Sequence, residues 1–466
     1  MTEQLSGMDA AFLALETPEM PMHVVGVLLL TPGEAFSRER VRSVVANRLH
    51  RMPPFCRTLV DVPLSLDKPY WHYDTAVDVN AHLVDVTLPA PGDLRALGRF
   101  VGDTTTARLD RSRPLWQLYV VDGLADGRWA IVAKVHHSTL YGAAGAEFIA
   151  ELLDLTPDPG ADPAPPATEA QPPPSRVDLL RRTTLAQLRR PLSAGRLVVT
   201  GVRNAGGTVG ALGGVLRRHG RRGLPPPAPR TALSGSLSPT REAAFGALNL
   251  ADARAVKDAA GVKLNDVVLA VVAMALRRYL EARDAVPGRA VVAGVPVNAG
   301  EGETSGTSML STMLVPLPVT DLGGRELLET VHGATVAAKE FTAAVGTSAI
   351  AELADVTPPA ALSFVTWLTR SLGLTTVPPA LANVVVSNVM GPPIPLYLAG
   401  ATVDAIFPLG PLLPGAGMNI TVLSNLDRLD VGVMACPDLV DDVWEVVDAM
   451  PACLDDLARA TGVATG

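Results

Sequence analysis

Apolar positions recur along this chain in two rhythms, and the rhythms divide it into elements. Val41, Val44, Val45 and Leu49 stand at helical spacing and predict a helix over 36–50. Helices are also expected over 93–107, 252–259, 324–342 and 441–460, with helical patches continuing to about Leu372. A short amphipathic helix and a Pro-bounded turn open the chain. The stretch 267–276 shows little polar face and predicts a buried helix. β-prone runs predict strands at 23–30, 115–121, 131–137, 290–297, 383–387, 402–407, 418–425 and 428–434, and 57–62 with 68–86 form a strand-rich stretch. Both halves therefore alternate helices with mixed strands, the pattern of an α/β layered fold.

At 466 residues the chain exceeds the roughly 250–300 residues that one core supports, so two lobes are expected. Residues 157–174, PDPGADPAPPATEAQPPP, have no packable face and read as a linker. The expected division is a first lobe over 1–156, a linker and connector over 157–242, and a second lobe over 243–466. Within the connector, 176–222 holds eleven arginines and one acid, Asp178, interleaved with Leu, Val and Gly. Such a basic amphipathic segment suits an anionic membrane or lipid-particle surface, and it equally suits a solvated link between lobes. Its glycines weaken any continuous helix.

Composition narrows the function classes. Hydrophobic residues make up 48% against 18% charged, so either the core is extensive or apolar ligands are handled. A net charge of -8 argues against a general nucleic-acid binder. The first twenty residues lack a basic region followed by an apolar run, and no window approaches about 18 uninterrupted apolar residues, so neither a signal peptide nor a transmembrane helix is expected. Cys56, Cys436 and Cys453 are odd in number and lack metal-like spacing, which fits a reduced cytosolic compartment. His72 and His82 stand ten apart without a third ligand, so no metal site is expected.

Chemistry concentrates at 131–149, IVAKVHHSTLYGAAGAEFI, which reads as a strand, a tight loop and a helix. Alternation along a strand places Ile131, Ala133, Val135 and His137 on one face and Val132, Lys134 and His136 on the other. The His137 face is wholly apolar, a setting that favours neutral imidazole and hence a usable base. Gly142 and the small residues after it allow a substrate or another backbone to come close. From the dipeptide alone, a buried structural histidine pair is the commoner reading. Pro114 forces an extended entry to the strand 115–121, which pairs with the histidine strand and sets Trp116 beside it, as cleft wall or as core. Asp9 reads as a helix-start acid, His23 as a strand-edge polar residue, Asn265 as a helix N-cap and Asp266 as a first-turn acid.

Together these stretches resemble the bacterial wax ester synthase/diacylglycerol O-acyltransferase family. LSGMDAAFLALETPEMPMHV, LDRSRPLW, HHSTLYG, LNDVVLA, the Val-Pro-Val strand, SNVMGP and GMNITVLSNLDRLDVGV follow in family order over nearly the whole chain. That family belongs with coenzyme A-dependent acyltransferases and peptide-synthetase condensation domains, which share the signature HHxxxDG. The resemblance implies two chloramphenicol-acetyltransferase-like α/β lobes with mixed sheets and an inter-lobe channel, with His137 at its centre as general base. His136, Tyr141, Gly142, Asn265 and Asp266 are then motif-supporting residues, and Pro114, Leu115 and Trp116 channel-lining ones.

The implied reaction moves a long-chain acyl group from acyl-CoA, as co-substrate and without metal or other cofactor, to diacylglycerol or a fatty alcohol. The implied place is the cytoplasm, at the inner membrane or lipid bodies. One position departs from the signature: Tyr141 stands where it has Asp, and a neutral tyrosine cannot supply a carboxylate's charge pairing. Nearby blocks drift too, with Ser234 where relatives carry Asn. A noncatalytic lipid-binding relative that keeps the fold, or a condensation-type enzyme making a specialised lipid ester, are the alternatives.

Overall fold

A computed structural model describes residues 2–74, 76–139, 148, 150–160, 162–163, 172–175, 177–184, 210–296, 312–345 and 380–464. The expected helical patches before Leu372, the loop 298–308, Tyr141 and Gly142 lie outside the described residues.

The first half runs β1 (Thr2–Gln4), α1 (Gly7–Leu15), β2 (His23–Thr31), α2 (Arg38–Arg48), β3 (Arg57–Val60), β4 (Tyr70–Tyr73), β5 (Leu83–Thr87), α3 (Leu94–Thr106), β6 (Trp116–Asp122) and β7 (Trp129–His136). The second half runs β8 (Glu242–Asn249), α4 (Leu250–Ala260), α5 (Leu264–Glu281), β9 (Val291–Pro296), β10 (Thr312–Leu317), α6 (Gly324–Val345), β11 (Val384–Val389), β12 (Tyr397–Leu398), β13 (Ala401–Leu409), β14 (Met418–Asn425), β15 (Arg428–Ala435) and α7 (Val443–Thr461). The predicted elements within the described residues are present, with ends shifted by a few residues.

Two six-stranded mixed sheets form the lobes, ordered β12-β13-β2-β7-β6-β5 and β10-β9-β11-β14-β15-β8, and β1-β4-β3 form a small third sheet. One allocation differs from expectation. The strand anticipated at 402–407 in the second lobe is β13, and it pairs antiparallel with β2 of the first lobe over Thr402–Leu409. The second half of the chain thus completes the sheet of the first. Its run keeps one apolar face, Val403, Ala405 and Phe407, which fits either sheet, so periodicity alone does not assign it.

Alternation gives each face of the first sheet a separate cover. Ile131, Ala133, Val135, Leu28 and Leu30 pack with Val41, Val44 and Val45 of α2. Val25, Val27, Leu29 and Val132 pack with Leu97 and Val101 of α3 and run on into the second lobe through Phe245, Phe407 and Trp444. The lobes share this inner core. Asp430 of β15 ties them again: its buried carboxylate accepts hydrogen bonds from the Ile406 backbone N–H at 2.9 Å and from Asn425 at 3.0 Å. Ser234, at the drifted position, accepts from Asn383 at 2.7 Å, and Asn383 in turn accepts from the Val292 N–H at 2.8 Å.

Helix α3 lies directly on β8. Gly98 and Gly102, four apart and hence on one face, sit against the carbonyls of Ala243 and Arg241, where a Cβ would collide with backbone. Gly102→Val should therefore destabilise the protein by about 1–3 kcal/mol or more through overpacking. Denaturant unfolding checks this, and an unchanged midpoint would show that α3 is free to move away.

Candidate active site

The two histidines sit at the end of a central strand, held from both sides. The His136 N–H donates to the Leu115 carbonyl at 2.9 Å, and the His137 N–H donates to the Met22 carbonyl at 2.7 Å. Strand β7 ends at His136, and His137 opens a 3-10 turn over His137–Thr139. The alternation rule therefore holds through His136 and fails for His137. Instead of continuing the apolar Ile131 face, the His137 ring turns toward α1 and packs on Phe12, centroid to centroid 4.3 Å. Phe12 clusters there with Met8 and Met22.

His137 is half-buried, with its Nδ1 enclosed and, among the described residues, without a hydrogen-bond partner. Burial pushes its pKa down to about 4, with an interaction with its own backbone acting in the opposite direction. The ring is neutral at pH 7, as the apolar setting predicts. His136 is fully buried, and burial reinforced by His23 and Arg111 holds it well below the ordinary imidazole range.

Beneath His136 lies a polar cluster that the sequence reading did not assemble. His23 is directly opposite His136 across the β2–β7 pair, buried rather than at an edge, and its Nδ1 donates to the Thr105 carbonyl at 2.9 Å. Lys134, also buried, donates to the carbonyls of Thr104, at 2.8 Å, and Ala107. Together these two side chains satisfy carbonyls at the end of α3. Burial brings Lys134 down to about 8. Glu16 pairs with Arg111 at 2.7 Å. Strand alternation had already placed Lys134 on the His136 face, and a lysine on a buried face was the available signal.

Asp9 occupies the first turn of α1, where Ser6 is the N-cap and accepts the Asp9 N–H at 3.1 Å. Burial raises its carboxyl to about 6. Asn265 is not an N-cap: Lys263 holds that position, and Asp266, as third helical residue, accepts the Lys263 N–H at 3.0 Å. Asp266 also receives Thr335 at 2.7 Å and His332 at 2.7 Å, fastening α5 to α6. These residues border a cavity of about 400 Å³ lined by Lys263, Asn265, His332 and Lys339. Among the described residues no hydrogen bond joins them to the histidine pair.

The residues expected along the channel are core residues. Pro114 is buried, and Leu115 packs with Leu5, Leu13 and Trp71. Trp116 stacks on His82 at 4.2 Å and donates from Nε1 to the Phe55 carbonyl at 2.8 Å. Their contribution to the site is the Leu115 carbonyl that holds His136. Among the described residues no group of three or more His, Cys, Asp or Glu is arranged to hold a metal ion.

Comparison with known proteins decides the family. The model of the wax ester synthase/diacylglycerol acyltransferase catalytic domain matches residues 5–268, and that of the family's C-terminal domain matches 308–458. The chain belongs to this family. A Mycobacterium tuberculosis relative, carrying the provisional name diacylglycerol O-acyltransferase, is 33% identical over 466 residues, spanning 98% of this chain and 91% of the relative. The solved wax ester synthase/diacylglycerol acyltransferase from Marinobacter aquaeolei VT8 aligns at a TM-score of 0.68 and 26% identity, covering 99% of this chain and 100% of that one. The first condensation domain of the calcium-dependent antibiotic synthetase aligns at 0.57 and 17% identity, with 100% and 98% covered, and shares the two-lobed fold.

The pH behaviour of the family member follows from these burials. His137 protonates near 4 in the folded protein and near its ordinary 6.5 when unfolded. The unfolded chain thus binds more protons in that window, and stability falls as pH drops from 6.5 toward 4. His23, at about 3, and His136 add to the loss. Chemical denaturation across pH 4–7 should show the decline. Asp9, raised to about 6, acts in the opposite direction, so the decline should be steeper in Asp9→Asn, and flat stability in that variant would contradict the buried neutral imidazoles.

Proposed function

We propose that the protein transfers a long-chain acyl group from acyl-CoA to a hydroxyl acceptor, diacylglycerol or a fatty alcohol, with His137 as general base. The observation that carries this reading is a neutral histidine at a strand end, wedged on Phe12 and enclosed at Nδ1, in a chain of this family. With Nδ1 sealed, Nε2 is the atom left to exchange a proton with substrate. It takes the hydroxyl proton as the acceptor oxygen attacks the thioester carbonyl. The tetrahedral intermediate then collapses, breaking the C–S bond, and the imidazolium returns the proton to the departing sulfur. An apolar pocket disfavours the imidazolium, which drives that second transfer.

Tyr141 supports a second reading, a lipid-binding relative without turnover, because it cannot supply the charge of the signature Asp. CoA-thiol release from a long-chain acyl-CoA separates the two. Release should require diacylglycerol or hexadecanol and should fall by about 10²–10⁴-fold in His137→Ala. Acyl-CoA binding with no release from folded protein would favour the lipid-binding reading.

A lipid acceptor calls for a lipid surface. Among the described residues no single helix is long and apolar enough to cross a membrane. We assign peripheral association to the connector, where Val177, Leu180, Leu216 and Leu224 are exposed beside the exposed Arg181, Arg182 and Arg217. Leu179, by contrast, is buried with Val62 and Tyr70 and anchors this segment to the protein. Replacing Arg181, Arg182 and Arg217 with Gln should reduce flotation with anionic liposomes, by about 1 kcal/mol per charge removed. Unchanged flotation would assign the segment to a connector role.

A further inference from the structure

Among the described residues, two buried imidazole nitrogens beneath the catalytic turn have no hydrogen-bond partner: Nε2 of His23 and Nε2 of His136. Their neighbours fix which carries a proton. The His23 Nδ1 faces the Thr105 carbonyl at 2.9 Å, and a carbonyl only accepts, so Nδ1 bears the hydrogen and Nε2 of the neutral ring is a lone pair. The His136 Nδ1 accepts the Ser138 backbone N–H at 3.2 Å, with the Ser138 hydroxyl at 2.7 Å, so the hydrogen of that ring is on Nε2. One orphan atom is therefore a donor and the other an acceptor. They belong to directly opposed residues of adjacent strands, with the rings edge-on at 5.9 Å. A third group completes the set: Oε1 of the buried Glu16 carboxylate lies 3.6 Å from the His23 Nε2.

We propose that His23 is a positioning residue for acyl transfer, its Nε2 lone pair holding the His136 Nε2–H through one bridging water. That water accepts from His136 and donates to His23 and to Glu16, which satisfies both stranded nitrogens at once. A direct His23–Glu16 ion pair is the competing arrangement, and two facts oppose it. Burial next to Lys134 keeps His23 neutral, and Glu16 already has Arg111 at 2.7 Å. The consequence passes to the reacting ring through Ser138. A fixed His136 ring fixes Ser138, and Ser138 belongs to the same 3-10 turn that presents His137.

The inference rests on the acyl-transfer reading for its kinetic consequence, and a spectroscopic arm tests it independently. In histidine-selective ¹⁵N spectra, with the His136 signals identified by their loss in His136→Gln, the neutral ring should be the Nε2–H tautomer. An Nδ1–H tautomer would overturn the proposal whether or not the protein turns over. The kinetic arm uses substitutions that separate the two ends of His23. His23→Gln places an amide oxygen near the position of Nε2 and keeps the acceptor. His23→Asn keeps only the donor toward Thr105. Turnover should fall roughly ten- to a hundredfold in His23→Asn with KM for acyl-CoA unchanged, while His23→Gln retains most of it. The opposite order, Asn active and Gln inactive, would mean that His23 serves only to cap α3. Absence of turnover in the wild type alongside the expected tautomer would fail the acyl-transfer reading and leave the His23–His136 assignment standing.

Discussion

The site depends on how one step of backbone is held. At the end of β7 the N–H of His136 is taken by β6's approach, through Leu115, and the next N–H, of His137, by the segment leading into β2, through Met22. A central strand presents successive N–H groups to opposite neighbours, and both are satisfied to the last residue. Nothing then remains to extend the strand, and the chain turns. That turn lifts His137 off the α2-covered face and sets it against Phe12, whereas His136 stays on the α3 side. Two adjacent histidines acquire different surroundings from one conserved feature of sheet geometry, the change of side at each residue.

The surroundings differ in chemistry. On the His137 side the ring contact is Phe12, which clusters with Met8 and Met22, and an imidazole there stays neutral because its cation would lose water without gaining a partner. On the His136 side the groups are polar and mostly paired: buried Lys134 on the α3 carbonyls, the exposed Arg111 on Glu16, buried Ser138 on His136. Buried polar groups in low dielectric are costly unless paired, so such a network makes its own geometry steep. A rigid polar floor under a neutral base fits a reaction in which one proton moves out and back within a single turnover.

Much of the architecture was legible because burial imposes period. The helices at 36–50 and 324–342 and the strands at 23–30 and 131–137 show their rhythm in the sequence, and the ordered family blocks point to the histidine pair as the candidate site. Three features were not legible. Strand β13 has one apolar face that either sheet could cover, so its membership of the first sheet depends on a register no local pattern records. Asn265 looked like a cap because Asn commonly is one, but Asp266 fills the third helical position and fixes the start at Lys263. The His23–Glu16–Arg111 cluster joins residues far apart in the chain, which pairwise sequence reading does not bring together.

The central claim is direct transfer of the acyl group under the action of His137, and product stoichiometry tests it most directly. Wild type and His137→Gln should be given isotopically labelled acyl-CoA with diacylglycerol, and labelled ester, free fatty acid and CoA thiol counted together by mass spectrometry. The account predicts one ester for each CoA released in the wild type, little free acid, and loss of ester in the variant. Free acid in place of ester, or ester formed equally well by His137→Gln, would contradict it.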